Sequence, residues 1–154
     1  MCLKNKGIYI CGEKHFMKTH IIEFQVEMED TNSEGVVFYP NYFRWFDRGT
    51  NAFLKSVGLN HSQLLNQYHY AHPVIDCGCQ FIHTLRYDDP VRIETTLDEF
   101  QERVFRLNHV IYSGDLLVAS GYEVRTWVKL DQPEENHRFI AASIPRELSD
   151  KLKS

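Results

Sequence analysis

The 154-residue sequence contains no GxGxxG, no GxxxxGK[ST] phosphate loop and no GxSxG elbow. Dinucleotide binding, nucleotide hydrolysis and a serine-hydrolase triad therefore have no motif behind them. Long apolar runs are also missing. Near the N-terminus the apolar patch is only Ile8-Tyr9-Ile10-Cys11, followed by Lys14 and Lys18, too short for a signal-peptide core or a membrane span. Positive charge is not in excess: 17 Lys and Arg stand against 21 Asp and Glu, a net charge of −4, so neither nucleic acid nor an anionic membrane is an expected partner. Cysteine is scarce, at Cys2, Cys11, Cys77 and Cys79. A chain of this size buries a core without staples, so reduced thiols and a cytoplasmic location are expected. There is no internal repeat, low-complexity run or Pro/Gly/Ser-rich linker, which leaves one domain.

What is present is an ordinary globular composition with 13% aromatics, enough for a bulky core or an aromatic-lined pocket. Ile22, Phe24, Val26 and Met28 alternate with Glu23, Gln25 and Glu27, predicting a half-buried strand over 21–28. From Asn41 to Val57 the period becomes helical. Tyr42, Trp45, Phe46, Gly49, Phe53 and Val57 form one stripe, and Phe43, Thr50 and Leu54 a second. Only Arg44, Arg48, Asn51 and Lys55 form a solvated strip, so this helix is surrounded by protein. Pro40 suits its first turn and Gly58 its C-terminal cap. A short helix is expected near Ser62–Gln67, then extended chain over Pro73–Arg86 with a bulge at Gly78. Strands follow from Val91 and from Val104, and a Ser113-Gly114-Asp115 turn leads into a long strand, Leu116–Lys129. After a loop at Asp131–Asn136 come a last strand at Arg138–Ala142 and a helix at Pro145–Leu152. Successive hairpins and one buried helix make an α+β fold, an antiparallel sheet with the long helix against its concave face.

Metal binding has little support. His69 and His72 precede Cys77 and Cys79, but H-x-x-H…C-x-C is not a standard zinc spacing, and His83 and His109 fall on strand faces as ordinary histidines. No metal and no cofactor are expected. The informative stretch is Glu29 to Arg48, a polar turn-prone loop directly before the N-terminus of a buried helix. Free N–H groups there suit a polarised carbonyl or an oxyanion, although a simple capping loop has the same composition.

That stretch resembles the hotdog-fold acyl-CoA thioesterases of the 4-hydroxybenzoyl-CoA thioesterase family, whose pattern D-x-D-x-x-G-x-V-x-x-x-N-Y continues into an aromatic and an acid within the helix. It is met here by Asp30, Asn32, Gly35, Val37, Asn41, Tyr42, Trp45 and Asp47, and continues through Tyr87-Asp88-Asp89 and Ile93-Glu94-Thr95. The resemblance spans about Ile21 to Leu152. It implies a hotdog fold in residues 20–154, after an N-terminal extension of 1–19, and active sites built between subunits of a homodimer or homotetramer.

In that family the thioester carbonyl takes a backbone N–H at the helix N-terminus, here that of Tyr39, and the second Asp of D-x-D attacks it or activates water. This chain has Asn32 at that place, and an amide is neither a base nor a competent nucleophile near neutral pH. Asn32 still positions water or substrate through its donor and acceptor. A similar Asp30-Thr31-Asn32 with an Arg three residues after the helix Trp, here Arg48, resembles the hotdog thioesterases of enediyne polyketide pathways, which act on carrier-protein thioesters. Asp47 or Arg48 completes the catalytic site, Asp47 as a second carboxylate unless it pairs with Arg44 along the helix. Asp30, Gly35 and Arg103 are the expected substrate-binding residues; Arg103 matches the last member of a CoA-phosphate cluster whose preceding positions are Gln101 and Glu102 here. The expected activity is hydrolysis of an acyl-CoA or acyl-carrier-protein thioester. The alternatives are a polyketide-type carrier-protein thioesterase and a non-catalytic acyl-thioester binding protein.

Overall fold

A computed structural model describes residues 18–131 and 138–154; Cys2, Cys11, most of the 1–19 segment and most of the expected loop at 131–136 lie outside the described residues. The chain runs β1 (Thr19–Gln25), a single 3-10 turn (Met28–Asp30), α1 (Pro40–Ser56), α2 (His61–Tyr68), β2 (Tyr70–Ala71), β3 (Val74–Phe81), β4 (Pro90–Phe100), β5 (Val104–Ser113), β6 (Leu116–Thr126), β7 (Val128–Asp131), β8 (Arg138–Ala141) and α3 (Arg146–Lys153). β1, β4, β5, β6 and β3 form an antiparallel five-stranded sheet in that order, and β2, β7 and β8 a small three-stranded one. α1 lies across the concave face of the larger sheet. This is the hotdog arrangement.

Several local expectations shift. The first strand stops at Gln25 because Glu27 and Asp30 cap each other: the Glu27 N–H donates to Asp30 Oδ2 at 3.0 Å, which turns the chain. The long strand expected at 116–129 breaks at Trp127, whose fully buried ring sends β7 into the second sheet. The bulge in β3 falls between Val74 and Asp76 rather than at Gly78, which is instead covered by the Tyr122 ring. His83 sits in a bend beyond β3, not on a strand. Asn51 is half-buried rather than solvated, because its NH2 group turns back to the Asp47 carbonyl and carboxylate.

α1 begins at Pro40, which needs no N–H there, and Gly58 closes its end at φ +79. Its inward face splits the core in two. Tyr42, Trp45 and Phe46 pack with Val91, Ile93, Ile111 and Ala119 around the first half of the helix. Phe53 and Leu54 pack with Phe105, Leu107, Trp127, Leu148 and Leu152 around the second. Phe46 and Phe53 are fully buried, each worth about 2 kcal/mol or more in transfer from water. Between the two halves runs a polar belt of Thr50, Thr95, His109, Glu123 and Arg125, all buried. The helix approaches this belt closely at Gly49, where a Cβ would lie 2.6 Å from Thr95 Oγ1.

Candidate active site

The loop ahead of α1 is built by its own polar side chains. Asn32 Oδ1 accepts the N–H groups of Glu34 at 3.0 Å and Val36 at 3.3 Å, while the Asn32 N–H donates to the Val36 carbonyl at 2.9 Å. Gly35 takes φ +76, a conformation that suits residues without a Cβ, and donates to the Asn32 carbonyl. Asn41 anchors this turn to the helix, its NH2 group donating to the Asp30 carbonyl at 2.8 Å. Asp30 is buried and serves the turn with both its carboxylate and its carbonyl. Asp30 and Gly35 therefore shape the loop.

The loop donors without partners among the described residues include these two. One is the Asn32 NH2, since its oxygen alone holds the loop. The other is the Tyr39 N–H, which directly precedes Pro40 at the positive end of the 17-residue helix. Around them stands an exposed aromatic group. Phe38, Tyr39 and Phe81 are 49%, 60% and 48% exposed. The Phe81 ring meets Tyr42 edge-on at 5.1 Å between centroids and Tyr39 at 6.4 Å. Burial pushes the Tyr42 hydroxyl up to about 12, so it stays protonated. An N–H donor edged by flat apolar surface suits a polarised carbonyl attached to an acyl group.

Asp47 and Arg48 lie on neighbouring sides of α1, well beyond this loop. The Arg48 guanidinium stacks over Phe24 of β1 at 4.3 Å. Asp47 does not pair with Arg44, whose guanidinium donates to Asn41 Oδ1 instead. Asp47 Oδ1 accepts Arg125 Nη2 at 2.7 Å, and Oδ2 accepts Asn51 Nδ2 at 3.0 Å. Arg125 is buried, as are its other partners Glu123 and His72. Burial first, then the charge of Arg125 and the nearness of His61, hold the His72 imidazole down at about 4, keeping it neutral. For Glu123 burial pushes upward, but His109, Arg125 and the Thr50 hydroxyl outweigh it and hold the carboxyl below its ordinary range. This belt escaped the sequence reading, which takes 116–129 as one long strand and singles out neither Glu123 nor Arg125. The only signal was their alternation with apolar residues on a face that must meet the helix.

Arg103 is remote. Its carbonyl receives Trp127 and Thr126 at the turn between β4 and β5, whereas the loop before α1 borders the start of β4 through Val26 and Asp89. The length of β4 separates them, about 30 Å. Among the described residues no group of His, Cys, Asp and Glu side chains is arranged to hold a metal ion, and no helix is long and apolar enough to cross a membrane. Cys77 and Cys79 are free thiols.

The family model of the thioesterase-like superfamily matches residues 26–152. The chain belongs to that superfamily. It is 27% identical over 128 residues to the 4-hydroxybenzoyl-CoA thioesterase of Pseudomonas sp. (strain CBS-3), covering 79% of this chain and 88% of the relative. Among solved structures it is similar to a gentisyl-coenzyme A thioesterase, with 30% identity, 84% and 99% of the two chains covered and a TM-score of 0.75. It is also similar to a mutant 4-hydroxybenzoyl-CoA thioesterase complexed with 4-hydroxybenzoyl-CoA, at 27% identity, 88% and 99% coverage and a TM-score of 0.78.

Proposed function

We propose that this chain is an acyl-CoA thioesterase that cleaves its substrate with Tyr39, Asn32 and Asp47. The observation that carries this reading is the Tyr39 N–H at the start of α1, without a partner among the described residues and set among Phe38, Tyr42 and Phe81. The thioester carbonyl accepts this N–H, and the Asn32 NH2 provides a second donor from the same loop. Water attacks the carbonyl carbon and gives its proton to the Asp47 carboxylate. The negative oxygen that forms is stabilised by the two donors and the helix end. Collapse of this intermediate breaks the C–S bond, and Asp47 passes the proton it took from water to the departing sulfur, so that the carboxylic acid and the thiol of CoA leave and the carboxylate is restored. Asn32, unable to act as the base, leaves Asp47 as the carboxylate for that task.

One chain does not complete such a site. The step from Tyr39 to Asp47 advances α1 by about 12 Å, too far for both to meet one carbonyl. A second copy is required, and β3 is the edge on which it fits. Among the described residues β3 pairs with β6 alone, and Val74, Ile75, Phe81 and Ile82 at its ends are exposed. The reading is thus a homodimer, or a homotetramer built from it, in which Asp47 of one copy serves Tyr39 of another; Arg103 reaches a CoA phosphate only across copies. Arg48, engaged over Phe24, gives less support to the carrier-protein scheme. A CoA substrate and free thiols fit a cytoplasmic enzyme, with residues 20–154 as its catalytic domain. The test is a panel of acyl-CoAs, with one acyl-carrier protein, followed by a thiol reagent alongside light scattering. Thiol release well above buffer hydrolysis from an oligomer supports the reading. Tight binding without release favours a binding protein, and a stable active monomer overturns the shared site.

A further inference from the structure

Arg125 is a costly residue to bury. Its guanidinium spends Nε and Nη2 on both oxygens of Glu123 at 2.9 to 3.1 Å, and Nη1 on the His72 ring and carbonyl at 3.1 and 3.2 Å. Glu123 is held in turn by the Thr50 hydroxyl at 2.6 Å and lies 3.5 Å from His109 Nε2. Arg125 and Glu123 already neutralise each other, and a buried ion pair adds little net stability over apolar packing. Nevertheless Nη2 reaches past this pair to Asp47, whose side chain is 56% exposed. An exposed carboxylate is well solvated by water alone and gains little from an ion pair. What the contact does is fix geometry. With Oδ1 on Arg125 and Oδ2 on Asn51, the two anchored oxygens and the bond to Cβ together fix the carboxylate plane, and each oxygen keeps a lone pair for a water.

We infer that Arg125, clamped by Glu123 and His72, is a positioning residue that holds the Asp47 carboxylate in the orientation needed to take a proton from water. This inference rests on the reading of Asp47 as the base. The forked guanidinium is essential to it, because a lysine ammonium supplies the charge but not the simultaneous grip on Glu123, His72 and Asp47. The side chain is buried beneath the helix, so it acts through Asp47.

The test is a double-mutant cycle on turnover of 4-hydroxybenzoyl-CoA, or of whichever acyl-CoA in the panel turns over fastest. Asp47→Asn is expected to lower kcat by 10²-fold or more. Arg125→Lys is expected to lower kcat about 10-fold with KM within twofold, and to have less than a twofold further effect in the Asp47→Asn background. If Arg125→Lys keeps wild-type kcat while Asp47→Asn is impaired, the positioning role falls and the base survives. If the two losses multiply, Arg125 is merely structural, which also overturns the inference. If Asp47→Asn retains full kcat, the base itself is wrong and the positioning role goes with it. Circular dichroism confirms that each variant is folded. Should Arg125→Lys fail to fold, the charge-neutral pair Arg125→Gln with Glu123→Gln is run through the same cycle, with the same outcomes deciding.

Discussion

The side-chain oxygen of Asn32 accepts the Glu34 N–H at 3.0 Å, which leaves the Asn32 NH2 pointing its donors elsewhere. An aspartate at this position keeps the oxygen that holds the loop but replaces the donor with a second negative oxygen. Asn32→Asp therefore isolates the donor from the loop. Beside a developing oxyanion the new charge opposes catalysis, and kcat is expected to drop at least 10-fold. Asn32→Ala removes the donor and loosens the turn, and a loss of about 10² to 10³ is expected. A gain in kcat for Asn32→Asp, measured on the best acyl-CoA, would restore the aspartate mechanism of the resemblance and remove the role given to Asp47.

Gly49 tests how tightly the helix sits on the polar belt. A Cβ there would come 2.6 Å from Thr95 Oγ1 and 3.5 Å from His109 Nδ1, and these two atoms are hydrogen-bonded to each other at 3.0 Å. Alanine gains about 1 kcal/mol of helix propensity. Overpacking at a core contact costs about 1 to 3 kcal/mol, so the sum should be destabilising. Thermal unfolding is expected to show a lower Tm for Gly49→Ala, with part of the loss recovered in Gly49→Ala/Thr95→Ala because the clashing oxygen is gone. Equal Tm values for wild type and Gly49→Ala would mean that the helix relaxes away from β4 at no cost.

How much of this was legible beforehand varied with the range of the interaction. The period of α1, its Pro40 start and its Gly58 stop are local, and the helix forms where the pattern places it. Alternation in 91–98 and 104–111 likewise marks β4 and β5. The break at Trp127 is tertiary, since a long β6 would leave that ring outside the core formed by Phe105, Leu148 and Leu152. The loop residues Asn32, Gly35 and Tyr39 fall together because they are neighbours in sequence. The partner of Asp47 was hidden for the opposite reason: Arg125 lies 78 positions away, on a strand whose place beside the helix depends on the whole sheet order. The spacing of Asp47 offered only Arg44, three positions away on the same helix, as a partner.

The two thiols of β3 should react differently. Cys77 is exposed, while burial pushes Cys79 up to about 11. At pH 8 about one Cys79 in a thousand is then the reactive thiolate. Brief iodoacetamide treatment of the folded protein, read by peptide mapping, is expected to modify Cys77 well before Cys79. Cys77→Ser with Cys79→Ser should leave kcat within a few-fold of wild type, since neither thiol has a part in the site. Faster labelling of Cys79, or loss of turnover in the double variant, would contradict that assignment.

Acid sensitivity should trace to His72. Burial and the adjacent Arg125 hold its imidazole at about 4, against an ordinary value of 6.5, so the folded state binds this proton less readily than the unfolded chain. Stability from this residue is complete above 6.5 and is lost as pH falls from 6.5 towards 4, because only the unfolded chain takes up the proton in that interval. Between pH 7.5 and pH 5 the loss comes to about 2 kcal/mol. Glu123, held below its ordinary range, acts in the same sense but mostly at lower pH, since the unfolded carboxyl is half protonated only at 4.5. Urea unfolding at pH 7.5, 6 and 5, run on the wild type and on a His72 variant, isolates the histidine by difference. His72→Gln retains an acceptor for Arg125 and carries no titrating ring, so its stability is expected to fall less steeply over this range than that of the wild type. Parallel slopes for the two proteins would show that the imidazole beside Arg125 takes up its proton as easily folded as unfolded.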